Sequence, residues 1–171
     1  YMTKTVTVRG TDPDNVKQIA YYAGTEAGEE TIAWSQEYNY DGSKTKTVTI
    51  YDHDADDVLL STTVYKDLDG LVDTAMPTTD ELAVASDYLK KSFTDYEGSV
   101  KGEEKSNYTL NYKADGATVD TTTTYLYHID ADPEAIPPVL ASNAATASQA
   151  NGDSYMTKTV TVRGTDPDNV K

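Results

Sequence analysis

The chain has 171 residues, enough for one ordinary domain with its own core and short for two. Fourteen Lys and Arg against 29 Asp and Glu give a net charge of −15, which repels phosphate and argues against nucleic acid or an anionic membrane surface as partners. No cysteine is present, so disulfides, thiolate metal sites and cysteine nucleophiles are excluded, and no apolar run is long enough to predict membrane insertion.

The composition is rich in threonine, and tyrosine outnumbers phenylalanine 14 to 1. Both favour strands, and tyrosine packs its ring while its hydroxyl meets water. A mainly β protein, an antiparallel sheet or sandwich with an acidic outer surface, is expected.

The first strand is predicted at residues 1–9, YMTKTVTVR, where Thr3, Thr5 and Thr7 alternate with Val6 and Val8. Gly10 and Pro13 end it, and Pro13 suits the first turn of a short helix over 13–22. Strands follow at 30–40, 43–52 and 58–67, separated by Asp41-Gly42 and by the acidic turn DHDADD at 52–57. The second of these contains TKTVTI at 45–50, nearly the TKTVTV of 3–8.

A capping-box spacing at Thr78 and Glu81 then opens a predicted amphipathic helix at about 79–96. Leu82, Ala85, Leu89, Phe93 and Tyr96 give it one apolar stripe, expected to pack on the sheet. A second hairpin covers 106–112 and 118–129, turning at Ala114-Asp115-Gly116. Residues 130–154, rich in Pro, Ala, Ser and Asn, have the composition of a linker.

The sequence then begins again. Residues 155–171 repeat residues 1–17 at every position, 154 residues further on. Such identity predicts a tandem array: a β-rich repeat domain over 1–129, a linker over 130–154 and the start of the next repeat over 155–171. The joint would be made by the repeated strand, with Met2, Thr3, Thr5, Val6 and Val8 in one copy and Met156, Thr157, Thr159, Val160 and Val162 in the other. Donor-strand pairing would suit such a joint, and the second copy is expected to complete the neighbouring unit's sheet.

Tyr40-Asp41-Gly42, Tyr51-Asp52, Tyr65 ahead of Asp67-Leu68-Asp69-Gly70, Tyr112 ahead of Asp115-Gly116, and Tyr127 ahead of Asp130 each place tyrosine before an acidic turn. Over roughly 35–70 and 108–130 this resembles the tyrosine–aspartate (YD, Rhs-like) repeats of large bacterial surface and secreted proteins. The resemblance implies stacked hairpins and an extracellular structural role, with no catalytic residues to carry over.

Candidate chemistry is confined to the acidic turns. Asp52, Asp54 and Asp56 have the alternation that opens an EF-hand loop, but Asp57 stands at the glycine position and Thr63 where the bidentate Glu belongs. Asp67, Asp69, Asp130 and Asp132 form further acidic turns. Calcium is the cofactor such turns would hold, with solvated turns as the plainer reading. His53 and His128 each flank one of these turns, Trp34 is expected in the core, and Asn107-Tyr108-Thr109 is an N-glycosylation sequon at Asn107.

No nucleophile–base spacing or phosphate loop occurs, and an enzyme is not expected. The expected function is a structural repeat of an extracellular filament, stalk or adhesin shaft, with identical units as partners. The alternative is a surface adhesin that recognises a glycan or protein with avidity from its repeats.

Overall fold

The computed structural model describes residues 1–165; the last six residues of the second copy lie outside the described residues. Ten strands form one open, mostly antiparallel sheet. They are β1 (Lys4–Val8), β2 (Val16–Ala23), β3 (Thr31–Tyr38), β4 (Thr45–His53), β5 (Leu59–Asp67), β6 (Tyr88–Glu97), β7 (Lys105–Tyr112), β8 (Val119–Ile129), β9 (Ser142–Ala145) and β10 (Met156–Arg163). A single helical turn, α1 (Thr79–Leu82), lies between β5 and β6. The sheet follows chain order from β1 to β8 and then takes β10, while β9 pairs with β8 off this path.

The chain divides into two compact units. The first, Tyr1–Asp52 with Thr62–Ser92 and Tyr112–Ala117, contains the aromatic core: Trp34, Val48 and Tyr88, packed by Tyr21, Ala33, Ile50, Tyr65 and Leu82. Trp34 is therefore a core residue, as expected. The registers of β2 and β3 place Tyr21 directly opposite Trp34, and the two rings stack with centroids 4.1 Å apart and planes 3° from parallel. Tyr65 meets Tyr88 edge-on at 6.4 Å. Such cross-strand aromatic pairs stabilise a sheet beyond the area they bury.

The second unit, His53–Ser61 with Phe93–Asn111 and the chain from Thr118 onward, adds cross-strand hydroxyl pairs to a Phe93–Tyr108 ring contact at 6.2 Å. Thr94 and Thr109 share a hydrogen bond of 2.9 Å, and Thr109 and the Tyr125 hydroxyl one of 3.0 Å. Asn111 Nδ2 donates to Thr121 Oγ1, and the Tyr127 hydroxyl, on a ring 3% exposed, donates to Ser106 O at 2.7 Å. The abundance of threonine and tyrosine thus has a structural purpose. A sheet with little apolar cover keeps its polar side chains paired across strands.

Two expected helices are corrected. Residues 13–22 form a turn followed by β2, because Val16, Ile19, Tyr21 and Tyr22 favour extended backbone and β1 and β3 flank the segment with ladder partners. The helix expected over 79–96 is helical from Thr79 to Leu82, where the capping box forms as the sequence predicts. Asp87 and Tyr88 both donate their amides to Val84 O, closing the turn, and Tyr88–Glu97 is strand β6. Phe93, Thr94 and Tyr96 fit a strand, so pairing overrides the helical spacing. Leu82 alone carries the expected stripe onto the core cluster.

The linker expected at 130–154 is partly built into the sheet. It contains β9 and a 3₁₀ turn at Ala147–Gln149, and Ala145, Ala147 and Ser154 are buried. Alanine leaves a surface small enough for close approach, which a composition reading cannot separate from flexibility.

Replacing Trp34 by Ala removes the centre of the aromatic cluster and the partner of the Tyr21 stack. Chemical denaturation should show a loss of about 3–5 kcal/mol.

Candidate functional site

The repeated segment forms a strand in both copies. The strand from Met156 to Arg163, expected to pair with a neighbouring unit, pairs here with β8 of its own chain. The register runs from Met156 opposite Tyr127 to Arg163 opposite Thr121. Pairing within the chain closes the edge of β8 without the entropy of bringing a second molecule. In the first copy, Thr5, Val6 and Val8 lie in β1 and pair with β2, and Met2 and Thr3 lie just ahead of it.

The two copies use opposite edges of the same strand. In an antiparallel ladder, successive residues direct their backbone groups to alternate sides. Thr3 O accepts from Tyr22 N at 2.9 Å and Arg9 N donates to Asn15 O at 2.8 Å, so the odd-numbered residues of the first copy face β2. Gly164 N donates to Asp120 O at 2.7 Å, so Gly164, Val162, Val160 and Lys158 face β8. These correspond to Gly10, Val8, Val6 and Lys4. The extra residue Thr157 makes a bulge at the start of β10, where its hydroxyl donates to Leu126 O and Asn143 O.

Side-chain contacts follow the same division. Val6 is half exposed, whereas its counterpart Val160 is partly covered and Val162 is buried. Arg9 is partly covered and donates from Nη1 to Val16 O at 2.8 Å and from Nη2 to Tyr38 O at 3.1 Å, whereas its counterpart Arg163 is exposed.

The acidic turns are held by their own carboxylates. Asp54 Oδ1 accepts from the amides of Asp56 and Val58. Asp57, at the position where an EF-hand loop needs glycine, has a φ of 62°, the left-handed region that this position demands. Asp52 lies exposed at the end of β4, and Asp56 lies exposed in the turn. Asp69 Oδ1 accepts from Leu71 N, and Asp132 Oδ1 from Glu134 N. Asp130 Oδ1 accepts from His128 Nε2 at 3.1 Å, and that contact, behind the contact with Asn143, holds the His128 imidazole above its ordinary value. Among the described residues no three His, Asp or Glu side chains come together to hold a metal ion. Asn107 lies half-buried in β7 with its Nδ2 donating to Asp95 at 2.8 Å.

One acidic group that the sequence gives no signal for is Asp73. The fully buried Gln36 pairs its amide with the Asp73 backbone, donating to O at 2.8 Å and accepting from N at 3.0 Å. The Tyr88 hydroxyl donates to Asp73 Oδ2 at 2.9 Å. Beside it, buried Asp67 accepts from Thr45 Oγ1 and from Gly70 N. Burial is the main cause that raises both carboxyls above the usual range, and burial with the Asp73 contact pushes the Tyr88 hydroxyl up as well. These contacts fasten the 68–87 connection onto β3 and β4.

A cleft of about 450 Å³ is lined by Glu97, Glu103, Lys105, Ala147 and Asn151 among others, with Lys105 Nζ donating to Gly152 O at 3.2 Å. No helix among the described residues is long and apolar enough to cross a membrane. No protein-family model, curated protein or solved structure matches the chain.

Two predictions concern these carboxylates. A raised folded-state value means the folded protein binds the proton of Asp73 more tightly than the unfolded chain does. The stability from this group is complete below the ordinary carboxylate range and is lost as pH rises through the folded value. Asp73→Asn, which still accepts from Tyr88, should therefore flatten the fall in melting temperature between acidic and neutral pH. With calcium and with a chelator, melting curves should coincide, because Asp54, Asp67, Asp69 and Asp132 already satisfy backbone amides.

Proposed function

We propose that the chain is a structural repeat of an extracellular or cell-surface array, a filament, stalk or adhesin shaft whose identical units follow one another along a tandem polypeptide. One observation carries this reading: a seventeen-residue segment occurs twice, 154 residues apart, and its two copies pair with different strands through different edges. A segment that served one fold alone would need one partner set.

The surrounding chemistry supports a mechanical role. The surface carries a net charge of −15, which keeps an extended array from collapsing onto itself. The sheet holds its own polar groups through threonine and tyrosine pairs, and its acidic turns are closed by their own side chains. The titratable cluster around Asp73 joins a connection to the sheet, with each partner occupied, and so behaves as a fastening.

Electron microscopy of chains carrying increasing numbers of the 154-residue period tests the reading. Particles should lengthen by a constant increment per unit. Compact particles whose longest dimension does not grow in proportion to the number of units would overturn it.

A further inference from the structure

The open edge of β1 has the same sequence and backbone form as the strand that β8 already holds. Gly10 and Gly164, which end the two copies, have φ of 62° and 60°. Among the described residues β1 pairs with β2 alone and lies at the end of the sheet. The alternation of the ladder sends the backbone groups of Lys4, Val6, Val8 and Gly10 away from β2. In the second copy the same four positions, Lys158, Val160, Val162 and Gly164, bind Leu126, Thr124, Thr122 and Asp120 of β8.

We propose that the repeated segment is a strand shared by consecutive units: its even-numbered edge takes β8 of the preceding copy while its odd-numbered edge takes β2 of its own. Tandem units thereby merge into a single sheet with no break at the joint. The partner is a second copy of this chain, and the contact is set by the register seen in β8 and β10, with Lys4 opposite Leu126 and Gly10 opposite Asp120. This deepens the reading of the chain as a structural repeat and rests on it.

Three features make the two edges usable at once. The ladder groups they require belong to alternate residues, so neither pairing takes a donor or acceptor from the other. The irregularities fall at opposite ends: β2 departs from register beside Thr7 and Val8, and the β8 pairing departs between Met156 and Lys158, the counterparts of Met2 and Lys4. The side-chain contacts also add without conflict. Thr122 Oγ1 donates to Gly164 O at 2.7 Å and Thr123 meets Thr161 at 2.9 Å on the β8 side, while the Arg9 guanidinium reaches Val16 and Tyr38 on the β2 side. A strand held on both edges would keep both sets and cover Val6, which is half exposed in β1. An exposed edge of this kind is also a template for unspecific pairing, which a built-in occupant prevents.

Amide hydrogen exchange followed residue by residue tests the proposal. In the 171-residue chain, Thr5, Thr7 and Arg9 should exchange slowly and Lys4, Val6 and Val8 quickly. The second copy should reverse this, with Lys158, Val160 and Val162 slow and Thr159 and Thr161 quick. In a chain where residue 171 continues into a second copy of residues 18–171, the shared strand should be protected at both sets. Thr159 and Thr161 should slow by about tenfold or more. If Thr159 and Thr161 stay quick in the joined chain, the shared strand is overturned. The structural-array reading is judged separately, by whether particle length grows with unit number. Proline gives an independent readout, because it removes one backbone donor. Val6→Pro should leave the melting temperature of the 171-residue chain unchanged, and Val160→Pro should lower it. Equal effects at the two positions would overturn the assignment of edges.

Discussion

Every N–H and C=O in a sheet needs a partner, and the geometry of an extended chain sends successive residues to opposite sides. For an open sheet this leaves two rows of unpaired groups, one at each end of the strand order. The architecture of this protein answers to that constraint. The strands follow chain order from β1 to β8 and then take β10, with β9 beside β8, and the end strands, β1 and β10, have the same sequence. The odd residues of that sequence are satisfied in one place and the even residues in the other.

The interior mixes apolar and polar side chains. The first unit has a tight aromatic cluster around Trp34, Val48 and Tyr88, and its connection from β5 to β6 is fastened by Gln36, Asp67, Asp73 and Tyr88. Placing carboxylates there costs desolvation, seen in the upward displacement of Asp67 and Asp73, and hydrogen bonds offset part of that cost. The second unit combines buried Val58, Ile129 and Val162 with hydroxyl pairs between strands. Both devices suit a sheet whose faces are incompletely covered, because water can approach without breaking a purely apolar core.

Much of this was legible in residue order and some was not. Alternating Thr and Val at 3–8 and the Asp-Gly turn at 41–42 mark strands and a hairpin, and the structure has them there. The segment 79–96 shows the limit of periodicity. Its capping box is real and forms, but the residues that share a helical stripe also include Phe93 and Tyr96, which suit a strand. Neighbouring strands decide between the two, and a local reading has no access to them. Asp73 was invisible for a related reason: its partner Gln36 is 37 residues away, and neither belongs to a motif. In the acidic turn at 52–57, the EF-hand comparison found the residue that needs a left-handed backbone, Asp57, and Asp54, one of the three carboxylates it marked as ligands, closes the turn itself.

A strand shared between β8 and β2 would give the identity of the two copies a physical cause. A strand with one partner tolerates change on its free side, where a substituted residue meets solvent. A strand between β8 and β2 has no such side. Val160 and Val162 are covered beside β8, Thr161 shares a hydrogen bond with Thr123 of β8, and Arg9 reaches Val16 and Tyr38 on the β2 side. The turn after Gly10 is bound in the same way, since Arg9 takes both its backbone and its side-chain partner from Asn15. A joint of the kind proposed, made by each copy on both sides, would leave few positions free to differ, and a strand and its turn would then be written twice in the same letters.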